Sequence, residues 1–177
     1  MFKKRTERKY LAEFVYGAID GSVTTFAVVA GAMGASLSST VVLILGFANL
    51  FADGFSMAIS NYLSNKSQID LYKNHKHKHS HIKDPKKTAL ITFISFLLVG
   101  FIPLLSFVLS PLSSFIDQNK FIFSTILTAI AFLIIGAIKS KVAGKHFVRS
   151  SLETLLIGGA AAGLAFLVGY LLRGIGG

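Results

Sequence analysis

Two aspartates sit inside stretches that are otherwise apolar. Asp20 lies in YGAIDGSVTTFAVVAG (residues 16–31) and Asp53 in ANLFADGFSMAISNYLS (residues 48–64). A carboxylate at the centre of a lone membrane helix costs about 2.5–3.5 kcal/mol. Ionisable groups inside a span therefore face a partner or an ion path. Around Asp53, the residues Asn49, Ser56, Met57, Ser60 and Ser64 recur at steps of three and four. That spacing is one face of a helix. Phe47, Leu50, Phe51 and Ile59 are expected on the opposite, lipid-facing side. In the first stretch Glu13, Gly17, Asp20, Thr24 and Gly31 share a face, and Gly17 and Gly21 form a small-xxx-small pair suited to close helix approach.

Carboxylate, amide and hydroxyl oxygens suit hard or intermediate divalent cations. A methionine alone is ordinary core filler, but on the Asp53 stripe Met57 is a candidate thioether ligand, which favours a transition metal over Mg²⁺ or Ca²⁺. Carboxylates bind metal only when deprotonated, so loading and proton release are coupled. The candidate metal ligands are Asp20, Met57, Asp53 and Asn49, with Glu13, Thr24, Ser56 and Ser60 along the transport path.

These residues need a scaffold of membrane helices. The chain has 177 residues, 53% hydrophobic and 15% charged, against about 25% charged in soluble domains. A span takes about 20 apolar residues, and five segments qualify: 11–34, 39–62, 88–110, 121–138 and 151–172. Together they form a single five-helix transmembrane domain over 1–177, an all-α membrane protein. Pro103 is expected to kink the third helix. Gly158, Gly159, Ala162 and Gly163 are expected to form a packing face on the fifth. The start has a basic n-region and Ala30-Gly-Ala32 resembles a cleavage site, but Asp20 interrupts the apolar run, so the segment is expected to stay as the first span.

Of the 18 Lys and Arg, sixteen fall before the first span, in 63–87 or in 139–150; only Lys120 and Arg173 fall on the other side. The positive-inside rule then places the N-terminus in the cytoplasm and the C-terminus outside. The formal charge of +10 thus serves membrane orientation rather than nucleic-acid binding. With no cysteine, thiolate sites and Cys nucleophiles are excluded.

Counting from Lys9 and Lys66, Asp20 and Asp53 lie ~16 Å and ~20 Å from the cytoplasmic charges. The uncharged link 35–38 makes the two helices antiparallel neighbours, so the carboxylates are expected to meet about halfway across. The segment KNHKHKHSHIK (residues 73–83) holds His75, His77, His79 and His81. Clustered imidazoles can capture divalent metal weakly, yet the interleaved lysines repel cations, and a solvated basic loop is the plainer expectation.

The stretches DGSVTTFAVVAG (20–31) and ANLFADGFSMAISNYLS (48–64) resemble the vacuolar iron transporter family. The resemblance covers the first two helices well, and the span count agrees. It implies a homodimer with the cation path between the first helices of the two chains. It also implies export of Fe²⁺, sometimes Mn²⁺, from the cytosol against protons. Asp20 matches the family's first-helix carboxylate and Met57 its second-helix methionine. Two departures stand out. Asn49 occupies a position where plant-type members carry Glu, a charge that Asp53, one turn on, could replace. The gap 63–87 contains no Glu, so the long cytoplasmic metal-collecting domain is missing.

The metal is substrate, with no permanently bound cofactor, and the partners are a second copy, metal ions and lipid. The short loops favour a prokaryotic cell membrane. A passive cation channel, a regulatory membrane subunit and a lipid-headgroup enzyme are the alternatives. The last is disfavoured because no Arg lies between Arg8 and Arg149.

Overall fold

A computed structural model describes residues 2–74 and 83–174, with side chains over 10–72 and 83–174. The described residues form α1 (Phe2–Gly34), α2 (Ser39–Asn74), α3 (Pro85–Gly100), the short α4 (Leu105–Leu109), α5 (Ser114–Ala143) and α6 (Phe147–Leu172). Among the described residues, five spans are long and apolar enough to cross a membrane: Tyr10–Gly34, Ser39–Tyr72, Pro85–Leu112, Ser114–Ala143 and Phe147–Leu172. The chain is an integral membrane protein built of helices.

Several helices outrun their expected bounds. The second was expected to end at 62 and runs on to Asn74, because Lys66 and Asp70 mark a polar surface and do not break a helix. Of the expected loop 63–87, residues 63–74 and 85–87 are therefore helical. Pro85 follows the N-cap Asp84, whose carboxylate accepts from the Lys86 N–H, and this cap-plus-proline start is what opens α3. The segment 111–120 is also mostly helix. Asp117 and Lys120 pair at 2.8 Å on the first turns of α5. Gly144, with φ +64°, closes that helix in the left-handed conformation.

The third span is broken, as Pro103 led one to expect. The break begins at Gly100, and the chain tightens into a 3-10 turn at Ile102–Leu104, then α4, then a second 3-10 turn at Ser110–Leu112. Proline has no N–H to give and its ring crowds the preceding turn. A loosened carbonyl inside a membrane needs a donor; that of Pro103 finds one on α5, and a second side-chain bond ties α4 to α5. Ser124 Oγ donates to the Pro103 carbonyl at 2.6 Å, and Ser106 Oγ to the Lys120 carbonyl at 2.7 Å.

α1 is the hub and touches α2, α3, α5 and α6. Its contact with α3 is made by small residues. A Cβ on Gly21 would lie 2.5 Å from the Phe96 carbonyl oxygen, and Gly17 meets Thr92 and Ser95. The facing stripe of α3 is Thr88, Thr92, Ser95, Phe96 and Gly100, all buried. One apolar core gathers Phe26, Val29, Val42, Leu104, Phe107 and Phe132. A smaller one joins Val15 and Ala18 to Ala131 and Ile135.

The inward faces differ in part from expectation. Leu50 is buried against Gly100, and Phe47 packs on Phe101 in the main core. Of the four residues assigned to lipid, Phe51 and Ile59 are exposed and these two are not. On α6, Gly158 packs against Phe132 and Ala162 is buried, but Gly159 and Gly163 have nothing within 4 Å of a would-be Cβ.

Candidate functional site

α1 and α2 run antiparallel in a register that can be followed through their polar residues. Asn49 Nδ2 donates to Thr24 Oγ1 at 3.5 Å, and Thr24 Oγ1 itself donates to the Asp20 carbonyl at 2.8 Å. Four residues down α1 from Thr24 is Asp20; four residues along α2 from Asn49 is Asp53. The two aspartates therefore stand at matching levels of the antiparallel pair. Seven residues further on each helix stand Glu13 and Ser60, both lining a cavity of about 450 Å³. Seven residues of helix span roughly 10 Å, so the polar side chains form two stations along one line.

The cavity station is lined by Ala12, Glu13, Tyr16, Met57, Ser60, Asn61 and Ser64. Met57 lies here, one turn from Asp53. Asp20, Asp53 and Asn49 belong to the second station and do not line the cavity. The proposed ligands Asp20, Asp53, Asn49 and Met57 are thus split between two levels of one groove. Asp20, Asn49, Thr24, Glu13 and Met57 are half-buried, whereas Asp53, Ser56, Ser60 and Ser64 are exposed on the protomer surface. Gly17 and Gly31 point elsewhere than the α2 side, toward α3 and α6 respectively.

Among the described residues, no three His, Asp or Glu side chains converge on one point. Each station offers at most two carboxylates in a single chain, supplemented by amide, hydroxyl and thioether groups. His75, His77, His79 and His81 lie outside the described residues.

Three contributors were not anticipated. Tyr16 and Asn61 line the cavity. Asn61 stands four residues after Met57, so the helical repeat carried that signal. Asn61 Nδ2 also donates to Thr92 Oγ1 at 2.7 Å, while Asn65 Nδ2 reaches Asn61 Oδ1 at 2.8 Å and Thr88 Oγ1 at 3.3 Å. This ladder fastens α2 to α3 beside the cavity. The third is Lys83, whose Nζ sits 2.6 Å from Glu13 Oε1. In the sequence it is one more cation of a basic segment.

Residues 11–84 and 74–170 match the family model described as the VIT family. The vacuolar iron transporter of Plasmodium berghei (strain Anka) is 26% identical over 228 aligned positions, covering 94% of this chain and 84% of the relative. Vacuolar iron transporter 1 of Arabidopsis thaliana is 26% identical over 227 positions, covering 97% and 89%. Vacuolar iron transporter homolog 4 of the same plant is 29% identical over 177 positions, covering 96% and 85%. The first two alignments are longer than the 177-residue chain, so those relatives hold segments with no counterpart here. The family match divides at 74–84, where α2 passes to α3.

Proposed function

The chain belongs to the VIT family of vacuolar iron transporters, and from that premise we propose that it exports Fe²⁺, and Mn²⁺ with it, from the cytosol in exchange for protons. It is a transporter and not an enzyme. The observation that carries the mechanism is the two-station line between α1 and α2. Glu13, Met57 and Ser60 receive the ion at the cavity, and Asp20, Asp53 and Asn49 hold it deeper in the span. Oxygen donors joined by one thioether suit a divalent transition metal. A carboxylate station holds either protons or the metal. Protons arriving from the far side therefore release the cation there, and cytosolic metal displaces the protons.

The functional unit in this reading is a homodimer. Asp53, Ser56 and Ser60 are exposed on the protomer at a depth where lipid would otherwise meet a charge, an arrangement that is expensive in hydrocarbon. A second copy, laying its own α1–α2 face across the seam, supplies further donors and removes Asp53 from lipid. Asp53 takes over the charge that Asn49 lacks. The ends of the bundle bearing Lys66, Lys83 and Lys139 face the cytoplasm, with the C-terminus outside.

Metal uptake into proteoliposomes, run with and without an opposing pH gradient, tests the proposal. Uptake of Fe²⁺ and Mn²⁺ is expected to accelerate with the gradient and to vanish in Asp20→Asn protein of normal yield and dispersity. Uptake indifferent to the gradient would replace exchange by passive conduction. Normal uptake by Asp20→Asn would remove that carboxylate from the path.

A further inference from the structure

Lys83 and Glu13 are 70 residues apart and pair beside the cavity between α1 and α2, which Glu13 lines and Lys83 does not. The ammonium approaches Oε1 at 2.6 Å, with side-chain exposures of 29% for Lys83 and 12% for Glu13. The other carboxylate oxygen, Oε2, is buried and has no hydrogen-bond partner among the described residues. Buried acceptors without a donor are uncommon. This one belongs to a residue lining a cavity whose wall also carries Met57 and Ser60.

Lys83 is delivered from a fixed base. The next residue, Asp84, caps α3 by accepting from the Lys86 N–H at 3.0 Å, and its carbonyl accepts from the Thr88 N–H at 3.0 Å. The Asp84 N–H reaches Tyr10 Oη at 3.4 Å, on α1. From that anchor the flexible four-carbon stem beyond Cα is free to swing.

We propose that Lys83 is a resident cation at the edge of this cavity, its ammonium holding the lining residue Glu13 until a divalent ion displaces it, so that the path admits doubly charged ions in preference to Na⁺ or K⁺. The inference rests on the reading of Glu13 as part of the path. An ammonium can donate to a hydroxyl oxygen but gains little from the Met57 sulfur, a weak acceptor. A divalent transition metal brings twice the charge to the carboxylate and also binds the thioether and hydroxyl. A monovalent alkali ion brings a single charge and little affinity for a thioether, and does not evict a tethered ammonium. The displaced Lys83 then turns toward solvent, where its hydration is recovered.

Mn²⁺ titration calorimetry on the full-length protein in detergent tests this, comparing wild type with Lys83→Gln, Lys83→Met, Lys83→Arg, Glu13→Gln and the Glu13→Gln/Lys83→Gln double variant. A partly exposed ion pair is worth up to about 1 kcal/mol, so removing the competitor is expected to tighten Mn²⁺ binding by about threefold to fivefold. Lys83→Gln and Lys83→Met share that gain, and in both Na⁺ at physiological concentration becomes a competitor. Lys83→Arg behaves as wild type. Glu13→Gln weakens binding, and the double variant is no tighter than Glu13→Gln alone. Damage to the fold would lower affinity, so a gain cannot come from structural loss. Weakened binding in Glu13→Gln with no gain in either Lys83 variant overturns the resident-cation role and leaves the path standing. Unchanged binding in Glu13→Gln overturns both.

Discussion

Replacing Gly21 with alanine probes the contact that holds Asp20 in place. Gly21 follows Asp20 on α1, and its own face is pressed onto the backbone of α3. A Cβ there would lie 2.5 Å from the Phe96 carbonyl oxygen and 2.9 Å from Phe96 Cα. Non-bonded carbon contacts are comfortable near 3.5 Å, so the helices must part by roughly 1 Å. The obstacle is backbone within α3, which has no rotamer to turn aside, and Phe96 is fully buried. Overpacking of this kind costs about 1–3 kcal/mol. For a chain of this length each kcal/mol moves the midpoint by about 2–4 °C, which predicts a fall of roughly 2–12 °C in Tm. Parting α1 from α3 also shifts Asp20 relative to Asp53, so metal uptake should decline in the protein that remains folded. Gly159→Ala is the matched control, because nothing lies within 4 Å of its Cβ position; its Tm should hold or rise, since alanine is the better helix former. The assay is thermal unfolding of both variants in the same detergent. A Gly21→Ala protein that melts with wild type would refute the close α1–α3 contact and the placement of Asp20 that depends on it.

Met57→Leu conserves volume and should cost under about 1.5 kcal/mol, leaving Tm nearly unchanged while raising the Fe²⁺ concentration needed for half-maximal uptake; unchanged iron affinity would mark Met57 as packing only. Asn61→Ala breaks the bonds to Thr92 and Asn65. The Thr92 bond joins two membrane helices, and such bonds are worth about 0.6–1.7 kcal/mol, so a Tm drop of roughly 1–7 °C is expected, and wild-type melting would show that the ladder does not fasten α2 to α3.

Charge and spacing made much of this protein legible before any coordinates. Five apolar runs separated by basic segments define the spans. The four-residue link between the first two spans makes them antiparallel neighbours, and the matched positions of Asp20 and Asp53 follow from counting residues inward. Polar groups stand out against an apolar background, which is why the Asp53 stripe and Glu13 were visible as candidates.

What the sequence left open was which apolar face turns inward. In water, burial and polarity go together, and a periodic pattern reveals the core. In lipid, the outside of a helix is as apolar as the inside, so Leu50 and Phe51 are alike in the sequence and opposite in the structure. Glycines suffer the same ambiguity: Gly158 meets Phe132 while Gly159 meets nothing. Helix ends were misplaced because a charge marks the membrane surface but does not stop a helix; α2 crosses that surface and continues to Asn74. The pairing of Lys83 with Glu13, and the division of the candidate ligands into two levels, depend on how α1, α2 and the start of α3 converge. Tertiary packing alone sets that convergence, because no local preference of the chain links residues 70 positions apart.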